Sequence, residues 1–473
     1  MKLIGFSRLL KTPMRKVGQF KLVEDLALTD KDPQMMVSKK YGFLPREEPL
    51  FDTPPEFETL ESLLNRAVIN QPDGTKGLLA SGQFGNAVLN ELKVVDVSKI
   101  ESTRLLEALM RDYAFASAMY LLEPCDLQFK KDKTYGLARD HLPESIAIPL
   151  CKLADKLGVK PCLEYNHYAP YNWQKKDKSK GMEPTNLQPK RLFEGSQDEI
   201  YFVVVHLYML EQSGKIIEYM CDIFNAVEAN DRSHFNKALA NMVNNSKIIN
   251  RNMDTMWELS SPKKYNDIRT FIMGSKNQPM YPNGILYKGV SEERRFYRGE
   301  TGANDSMVPT LDNIFELTAE MPENPLTETL RDFRTYRPKN HQEFLIWAEA
   351  RAKELGVKKF ALEDSNSTVL YLANLDQLAE FRERHWRFTK EYIIKNSTHP
   401  VATGGSPITT WLPNQLGVVL GSIDKIGSQL DVSKLSNENK KLNTELVKRA
   451  HAMRSILTRE VEELKKKFKG QDL

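Results

Sequence analysis

The sequence predicts an all-α fold in two parts, and three observations carry that prediction. Apolar residues recur three and four apart, as in Leu105, Leu106, Leu109, Met110 and Tyr113 and again in Ile146, Leu150, Leu153 and Leu157, the spacing of helices that bury one face. The same spacing resumes beyond residue 200 and runs almost to the end. Between the two blocks, Gln174 to Gln197 is rich in Lys, Gly, Pro and Asn, a composition that suits a linker. The chain is therefore expected to divide into a small, mostly helical N-terminal domain with its linker, residues 1–192, and a larger helical domain, residues 193–473, that ends in an amphipathic helix.

The elements follow in order. Residues 1 to about 60 carry turn signals such as Lys31-Asp32-Pro33 and Thr53-Pro54-Pro55 and read as an irregular entry segment. Helices then run from Leu60 to Leu163. After the linker come the apolar run Tyr201 to Leu210 and helical segments from Lys215 to Val227 and from His234 to Met256. Ser260 to Thr310 is punctuated by Gly and Pro and is too long to be an ordinary connection, which marks it as functional. Helical patterns return from Leu311, through Phe344 to Leu355 and Leu375 to Asn396, and again from Asn414 onward. In the last stretch Leu435, Leu442, Leu446, Met453, Leu457, Val461 and Leu464 stand in near-heptad spacing, which fits a short coiled coil or a helix packed on its own domain.

Composition excludes several classes. With 67 basic against 63 acidic residues the net charge is only +4, so no global field recruits nucleic acid or an acidic membrane, and no nucleic-acid or membrane partner is expected. The basic runs at Lys175 to Lys180 and Lys465 to Lys469 read as solvated surface. Four cysteines, Cys125, Cys151, Cys162 and Cys221, have neither CxxC spacing nor a dense framework, which argues against a zinc cluster and against a disulfide-stapled secreted domain. The N-terminus MKLIGFSRLLKTPMRK has no continuous apolar core, and the longest apolar run, Ile200 to Leu210, is too short to span a bilayer. A cytoplasmic monomer is expected.

One pairing points to chemistry. His385 lies on the apolar stripe Leu378, Phe381, His385, Phe388, Tyr392, and eighteen residues later comes the loop Thr403-Gly404-Gly405-Ser406. Alone, a histidine on such a stripe is more often a hydrogen-bonded core residue than a ligand, and a Thr-Gly-Gly is more often a surface turn than a lid. Together they suit a buried metal ligand beside a flap that closes over a small substrate.

The residues around this pair resemble a known family. FRERHWRFTKEYI followed by THPVATGGSPITTWLPNQLG is similar to the proximal-histidine helix and mobile loop of the indoleamine 2,3-dioxygenases. The likeness continues through LPESIAIPLCKLADKL at 142–157, Tyr165 with NWQKKD at 172–177, IRTFIMG at 268–274, NGILYKGV at 283–290, TGANDSMVPTLDN at 301–313 and RTYRPKNHQEFL at 334–345. These motifs keep the family's order from about Gly42 to Leu416.

The resemblance implies a two-domain helical haem dioxygenase fold, with the small N-terminal domain capping a larger haem domain. It implies one haem b per chain with His385 as axial ligand to the iron, L-tryptophan and dioxygen as substrates, N-formyl-L-kynurenine as product, a place in the kynurenine pathway, and an electron donor that keeps the haem reduced. Arg269 would take the substrate carboxylate, since a guanidinium offers two donors in one plane. Thr403 would meet the substrate's amino-acid end. Tyr265, Tyr165 and Phe202 would wall the indole, and Gly302 and Ala303 would leave room for the substrate. Arg382 and Asp312 would pair near a haem propionate, with Thr301 close to the haem face.

The sequence also departs from the family pattern. His206 falls where vertebrate relatives have a distal serine and where tryptophan 2,3-dioxygenases have a histidine that contacts the indole N–H; with a one-residue shift Val205 takes that place. As a distal residue His206 would be catalytic. Lys264 stands where an aromatic is usual and Tyr168 where vertebrate forms have cysteine. The rival readings are a haem protein without dioxygenase activity, an oxygen carrier or sensor on the same scaffold, and a helical interaction protein with no cofactor.

Overall fold

The computed structural model describes residues 17–317, 325–396, 399 and 401–467. The segment MKLIGFSRLLKTPMRK and the end of the basic run Lys465 to Lys469 lie outside them. The all-α class expected from periodicity is the class observed: long helices carry the fold, and the described strands are two or three residues long. No helix among the described residues is long and apolar enough to cross a membrane.

The described chain enters through irregular backbone and single 3-10 turns until helix α1, Glu58–Ala67, which buries Leu60, Leu63 and Leu64. Helix α2, Thr103–Asp132, is buried on nearly every side, the predicted stripe Leu106, Leu109, Met110 and Tyr113 included. A helix buried on nearly every side runs through a core, and α2 is that central rod, with its buried charges Arg111 and Asp112 paired inside the protein. Helix α3, Glu144–Leu157, turns Ile146, Leu150 and Leu153 against it and stops at Gly158, whose φ of 69° fits the left-handed residue that ends many helices.

The strands are local devices. Strand β1, His141–Leu142, pairs in parallel with β4, Ile285–Tyr287, and β4 pairs antiparallel with β5, Arg294–Arg295. Within the stretch from Gln174 to Gln197, β2, Trp173–Lys175, and β3, Leu187–Pro189, pair antiparallel, with Trp173 opposite Pro189. The Lys-, Gly- and Pro-rich composition here makes an ordered excursion.

A buried charge cluster ties this excursion to the helices. Arg191, just past β3, donates from Nε and a terminal nitrogen to both oxygens of Asp112 on α2, at 2.9 and 2.8 Å, and also reaches Glu61 on α1. Arg111 Nε donates to the same Asp112 at 2.8 Å. Burial alone would push the Asp112 carboxyl towards its neutral form, but the two guanidiniums outweigh it and hold its pKa well below the ordinary range.

The larger helical array begins with α4, Gln197–Leu210. Its start is fixed by Glu199, fully buried, whose carboxylate accepts the backbone N–H groups of Phe193, Glu194 and Gly195 at 2.7, 2.7 and 2.8 Å. Helices α5, Ser213–Glu228, and α6, Arg232–Asp254, pack side by side, and α6 packs on a long helix α10, Ser365–Phe388. Between them come a short α7, Tyr265–Arg269, α8, Met307–Ile314, and α9, Lys339–Leu355. The region Ser260 to Thr310 is thus mostly irregular backbone, as its composition suggests.

Helix α10 starts at Asp364, whose side chain accepts the N–H of Ser367 at 2.8 Å, and at its far end passes into a π-helical turn, Thr389–Ile394. Widened turns of this kind cluster at functional sites. Helices α11, Ile408–Gln429, and α12, Asn437–Lys467, complete the array. The near-heptad stripe of α12 packs on its own chain: Leu446, Ala450 and Leu457 are buried, and Glu460 accepts from Trp386 Nε1 at 2.8 Å and from Lys390 Nζ at 2.6 Å.

The charge cluster generates a prediction. Asp112→Ala strands Arg111 and Arg191 in the core without their carboxylate, so unfolding stability by chemical denaturation should fall by about 3–5 kcal/mol. A loss under about 1 kcal/mol would show that water or other groups replace the carboxylate at no cost.

Candidate functional site

One cavity dominates the molecule. It leaves about 1320 Å³ free of protein atoms, mouth included, of which about 180 Å³ takes the centre of a water-sized molecule; the next leaves about 390 and 30 Å³ by the same measures. The chain meets it from four directions. Helix α4 brings Phe202, Val205 and His206; α7 brings Tyr265; α10 and the π-helical turn bring Phe381, His385, Phe388 and Tyr392; and the segments 300–307 and 402–412 close the remaining sides.

The stripe read from the sequence is therefore a cavity face. Phe381, His385, Phe388 and Tyr392 line the space, while the opposite side of α10, with Leu372, Leu375, Ala379 and Trp386, packs into the helices behind. Neither ring nitrogen of His385 meets a protein partner among the described residues. Burial drives its pKa down to about 4, with a smaller push from His206 across the cavity, so the imidazole is neutral at physiological pH and keeps a lone pair for a ligand.

His206 is set differently. Its Nδ1 lies 2.7 Å from the backbone carbonyl of Phe202, one turn back on α4. A carbonyl only accepts, so Nδ1 carries the proton and Nε2 is left with its lone pair. Burial lowers the pKa of His206 as well. Two aromatic rings predicted as walls meet it edge to face, Tyr165 at 5.7 Å and Phe202 at 5.1 Å, and the third, Tyr265, lies 5.2 Å from Phe202. Val205, the alternative to His206, lines the cavity too.

The flap is closed and held. Every carbonyl from Val401 to Ser406 accepts a hydrogen bond: Val401 from Arg269 at 2.8 Å, Ala402 from Gln278 Nε2 at 2.7 Å, Thr403 from Gly274 N at 3.1 Å, Gly404 from Arg298 at 2.9 Å, Gly405 from Asn277 Nδ2 at 3.1 Å, and Ser406 from Ala402 N at 2.9 Å. Gln278 is itself fixed by His399 Nε2, 2.8 Å from its Oε1. Gly405 has φ +79°, and a side chain there would begin 2.3 Å from the carbonyl of Lys276. Thr403 lines the cavity beneath this clasp.

The segment facing the flap is buckled from outside. Arg337 donates to the carbonyls of Ala303 and Asp305 at 2.9 and 2.8 Å, and the Tyr336 hydroxyl accepts the N–H of Arg298 at 3.0 Å. His341 Nδ1 lies 3.2 Å from Ser306 Oγ. The motif around residues 334–345 thus has a mechanical role that its spacing did not disclose. The same segment presents Thr301, Gly302 and Ala303 to the cavity, as expected, and with them Glu300, which sequence reasoning missed.

Three expected site residues stand outside the lining. Arg269 is fully buried, with a terminal nitrogen on the Val401 carbonyl and another 3.5 Å from the Tyr135 hydroxyl. Arg382 and Asp312 form the expected pair, bidentate at 2.8 and 2.7 Å and buried between α10 and α8, one turn before His385. Lys264 is exposed with its nitrogen 3.8 Å from Asp267, and Tyr168 is buried 6.2 Å from Phe202.

Comparison with known proteins adds to this geometry. A family profile described as indoleamine 2,3-dioxygenase matches residues 32–444. An indoleamine 2,3-dioxygenase 1 of Mus musculus is 27% identical over 262 residues, 55% of this chain and 64% of that protein, so the match spans a little under two thirds of that relative. An indoleamine 2,3-dioxygenase of Aspergillus candidus is 22% identical over 76% of this chain and 87% of its own length. A protein named myoglobin from Haliotis diversicolor is 24% identical over 76% of this chain and 88% of its own.

The closed flap can be tested without any ligand. Gly405→Ala forces an L side chain into the left-handed region and against Lys276, so the clasp should open locally, and amide exchange over 402–406 should quicken by about ten-fold or more while the core helices keep their protection. Unchanged exchange in the flap would mean that it is not held by its backbone.

Proposed function

This chain belongs to the indoleamine 2,3-dioxygenase family, and on that premise we propose that it is a haem-dependent tryptophan dioxygenase. The reaction adds both atoms of dioxygen across the indole C2=C3 bond of L-tryptophan and gives N-formyl-L-kynurenine, the first step of the kynurenine route. The observation that carries the reading is a single apolar cavity with His385 on one side, His206 and three aromatic rings on another, and a clasped Thr403 flap above.

The residues present fit a haem. His385 offers a neutral imidazole with no protein partner among the described residues, at the side of a cavity lined mostly by apolar and aromatic side chains, the usual surroundings of a cofactor. No group of three or more His, Cys, Asp or Glu side chains gathers among the described residues. A lone imidazole suits a metal whose remaining ligands come with a macrocycle. Haem iron supplies the oxygen chemistry when bound, and an external electron donor keeps it reduced.

The chain's own residues do the rest. His385 would hold the haem iron through its imidazole, and the Arg382–Asp312 pair braces its helix one turn away. Tyr165, Phe202 and Tyr265 hold the indole and exclude water, while Thr301, Gly302 and Ala303 keep the facing wall thin. His206 accepts the indole N–H at Nε2 and leaves the proton where it is. Thr403 meets the amino-acid end of the substrate. Arg269 takes the carboxylate by exchanging it for the Val401 carbonyl that it now holds, which couples substrate binding to the root of the flap.

A second reading, a reversible oxygen carrier, is favoured by the match to the Haliotis protein named myoglobin. The orientation of His206 weighs against it. A bound dioxygen calls for a hydrogen-bond donor, whereas the nitrogen that His206 has free is an acceptor.

The test is reduction of the purified protein without oxygen, then addition of L-tryptophan and oxygen, with the haem spectrum and N-formylkynurenine followed together. Product is expected. A reversible oxygen spectrum without product would establish the carrier, and a chain that takes up no haem would end both readings. His385→Ala should lose haem and bring product to background. His206→Ala should keep haem and raise the tryptophan KM by about ten-fold, the worth of one hydrogen bond; an unchanged KM would remove His206 from the site.

A further inference from the structure

Glu300 has no place in the mechanism above, yet it lines the cavity. Its side chain is 3% exposed, and no described residue gives its carboxyl a hydrogen bond or an ion pair. Several other buried carboxyls are matched, Asp112 by two arginines, Glu199 by three amides and Asp312 by Arg382, whereas Glu300 has no described partner at either oxygen. An unmatched carboxyl in such surroundings is costly, and it is tolerated where a ligand completes it.

Its position limits what that ligand can be. Gly299, its neighbour, is packed so closely against the flap that a Cβ there would lie 2.4 Å from the Thr403 carbonyl, and one at Gly404 would lie 2.9 Å from the Thr301 methyl. Glu300 therefore sits beside the flap, at the end of the cavity where Thr403 waits. The groups that feel its charge are the hydroxyls of Tyr165, Tyr168 and Tyr265. His206 and His385, which line the same space, are neutral, and Arg269 acts on Tyr265 from outside the lining. Nothing cationic among the described residues answers Glu300, so the cation arrives with the ligand.

We propose that Glu300 is the counter-ion for the ammonium group of an amine-bearing indole, which makes it a specificity-determining residue that favours tryptophan and its decarboxylated amine over indole acids without an amine. The inference deepens the proposed function and rests on that reading for the indole. Burial holds the empty site's carboxyl up at about 8, so near pH 7 it is mostly protonated. Binding an ammonium ionises it: the carboxyl proton leaves to solvent, and a carboxylate and an ammonium remain paired out of water. The neutral acid costs the fold far less than an unpaired carboxylate would, which is how the protein carries Glu300.

The test uses the ferric haem-loaded protein without oxygen, so that binding is read without turnover. L-Tryptophan, tryptamine and indole-3-propionate are titrated by calorimetry in two buffers of different ionisation heat, between pH 6 and 8, with wild type and Glu300→Gln. Glutamine has the size of the protonated acid, so the variant keeps the cavity's shape, and haem content checks this. Both amines should bind with release of nearly one proton at pH 7, and their affinity should rise by about ten-fold per pH unit up to about pH 8. In the variant the proton release should vanish and both amines should weaken by about ten- to a hundred-fold at pH 8, while indole-3-propionate stays within about two-fold.

Equal loss for indole-3-propionate would make Glu300 a donor to the carboxylate and overturn the proposal. Amine binding unchanged in the variant, without proton release, would overturn it while leaving the dioxygenase reading intact. Tryptamine bound in a Glu300-dependent way with L-tryptophan refused would keep Glu300's role and overturn the tryptophan assignment. Binding of neither amine would end both.

Discussion

Six consecutive carbonyls over the cavity have to find donors, and much of the molecule is arranged to supply them. Residues 403–406 are buried, so each of their peptide oxygens must be matched inside the protein. Five of the donors, Arg269, Gly274, Asn277, Gln278 and Arg298, lie in the stretch that the sequence marks as too long for a simple connection, and the sixth is Ala402 N within the flap itself. Gly274 gives its backbone N–H, and the other four in that stretch give side-chain N–H groups. Arg337, Tyr336 and His341 in turn hold the segment that faces the flap, so a motif on the approach to α9 serves a loop some hundred residues from its donors.

Two histidines with lowered pKa values line the same space, and their difference lies in one hydrogen bond. His206 gives its Nδ1 proton to the Phe202 carbonyl, which fixes the tautomer and dedicates Nε2 to accepting. His385 has no such commitment on the protein side. Desolvation keeps both neutral, while a single carbonyl on α4 leaves His206 one open nitrogen and His385 two.

How much of this the sequence disclosed follows from the range of the interactions. Local periodicity found α2, α3, α5, α6, α10 and α12, because a helix buries a face set by neighbours three and four away. It placed His385, Phe388 and Tyr392 on one face, and the structure shows that this face looks into a cavity. The resemblance brought Tyr165, Phe202, Tyr265, Thr301 and Thr403 to the same space. It did not foretell that Arg269 would be engaged with Val401, or that Arg382 and Asp312 would stand behind the wall, since the partner that turns each of these side chains lies 70 to 132 residues away in the chain. Glu300 was invisible for a related reason: only burial distinguishes it from any surface glutamate, and burial there comes from the flap.

Helix α12 carries a consequence for the order of events during synthesis. Glu460 accepts hydrogen bonds from Trp386 and Lys390, one and five residues after His385 in the chain, so the helix that presents this imidazole is stapled from outside by a residue seventy-five positions later. A nascent chain that has just exposed His385 to the cell has α4, α6 and α7 in hand but lacks this staple. The contacts that α12 makes behind the His385 wall of the cavity therefore form last, when the end of the chain docks.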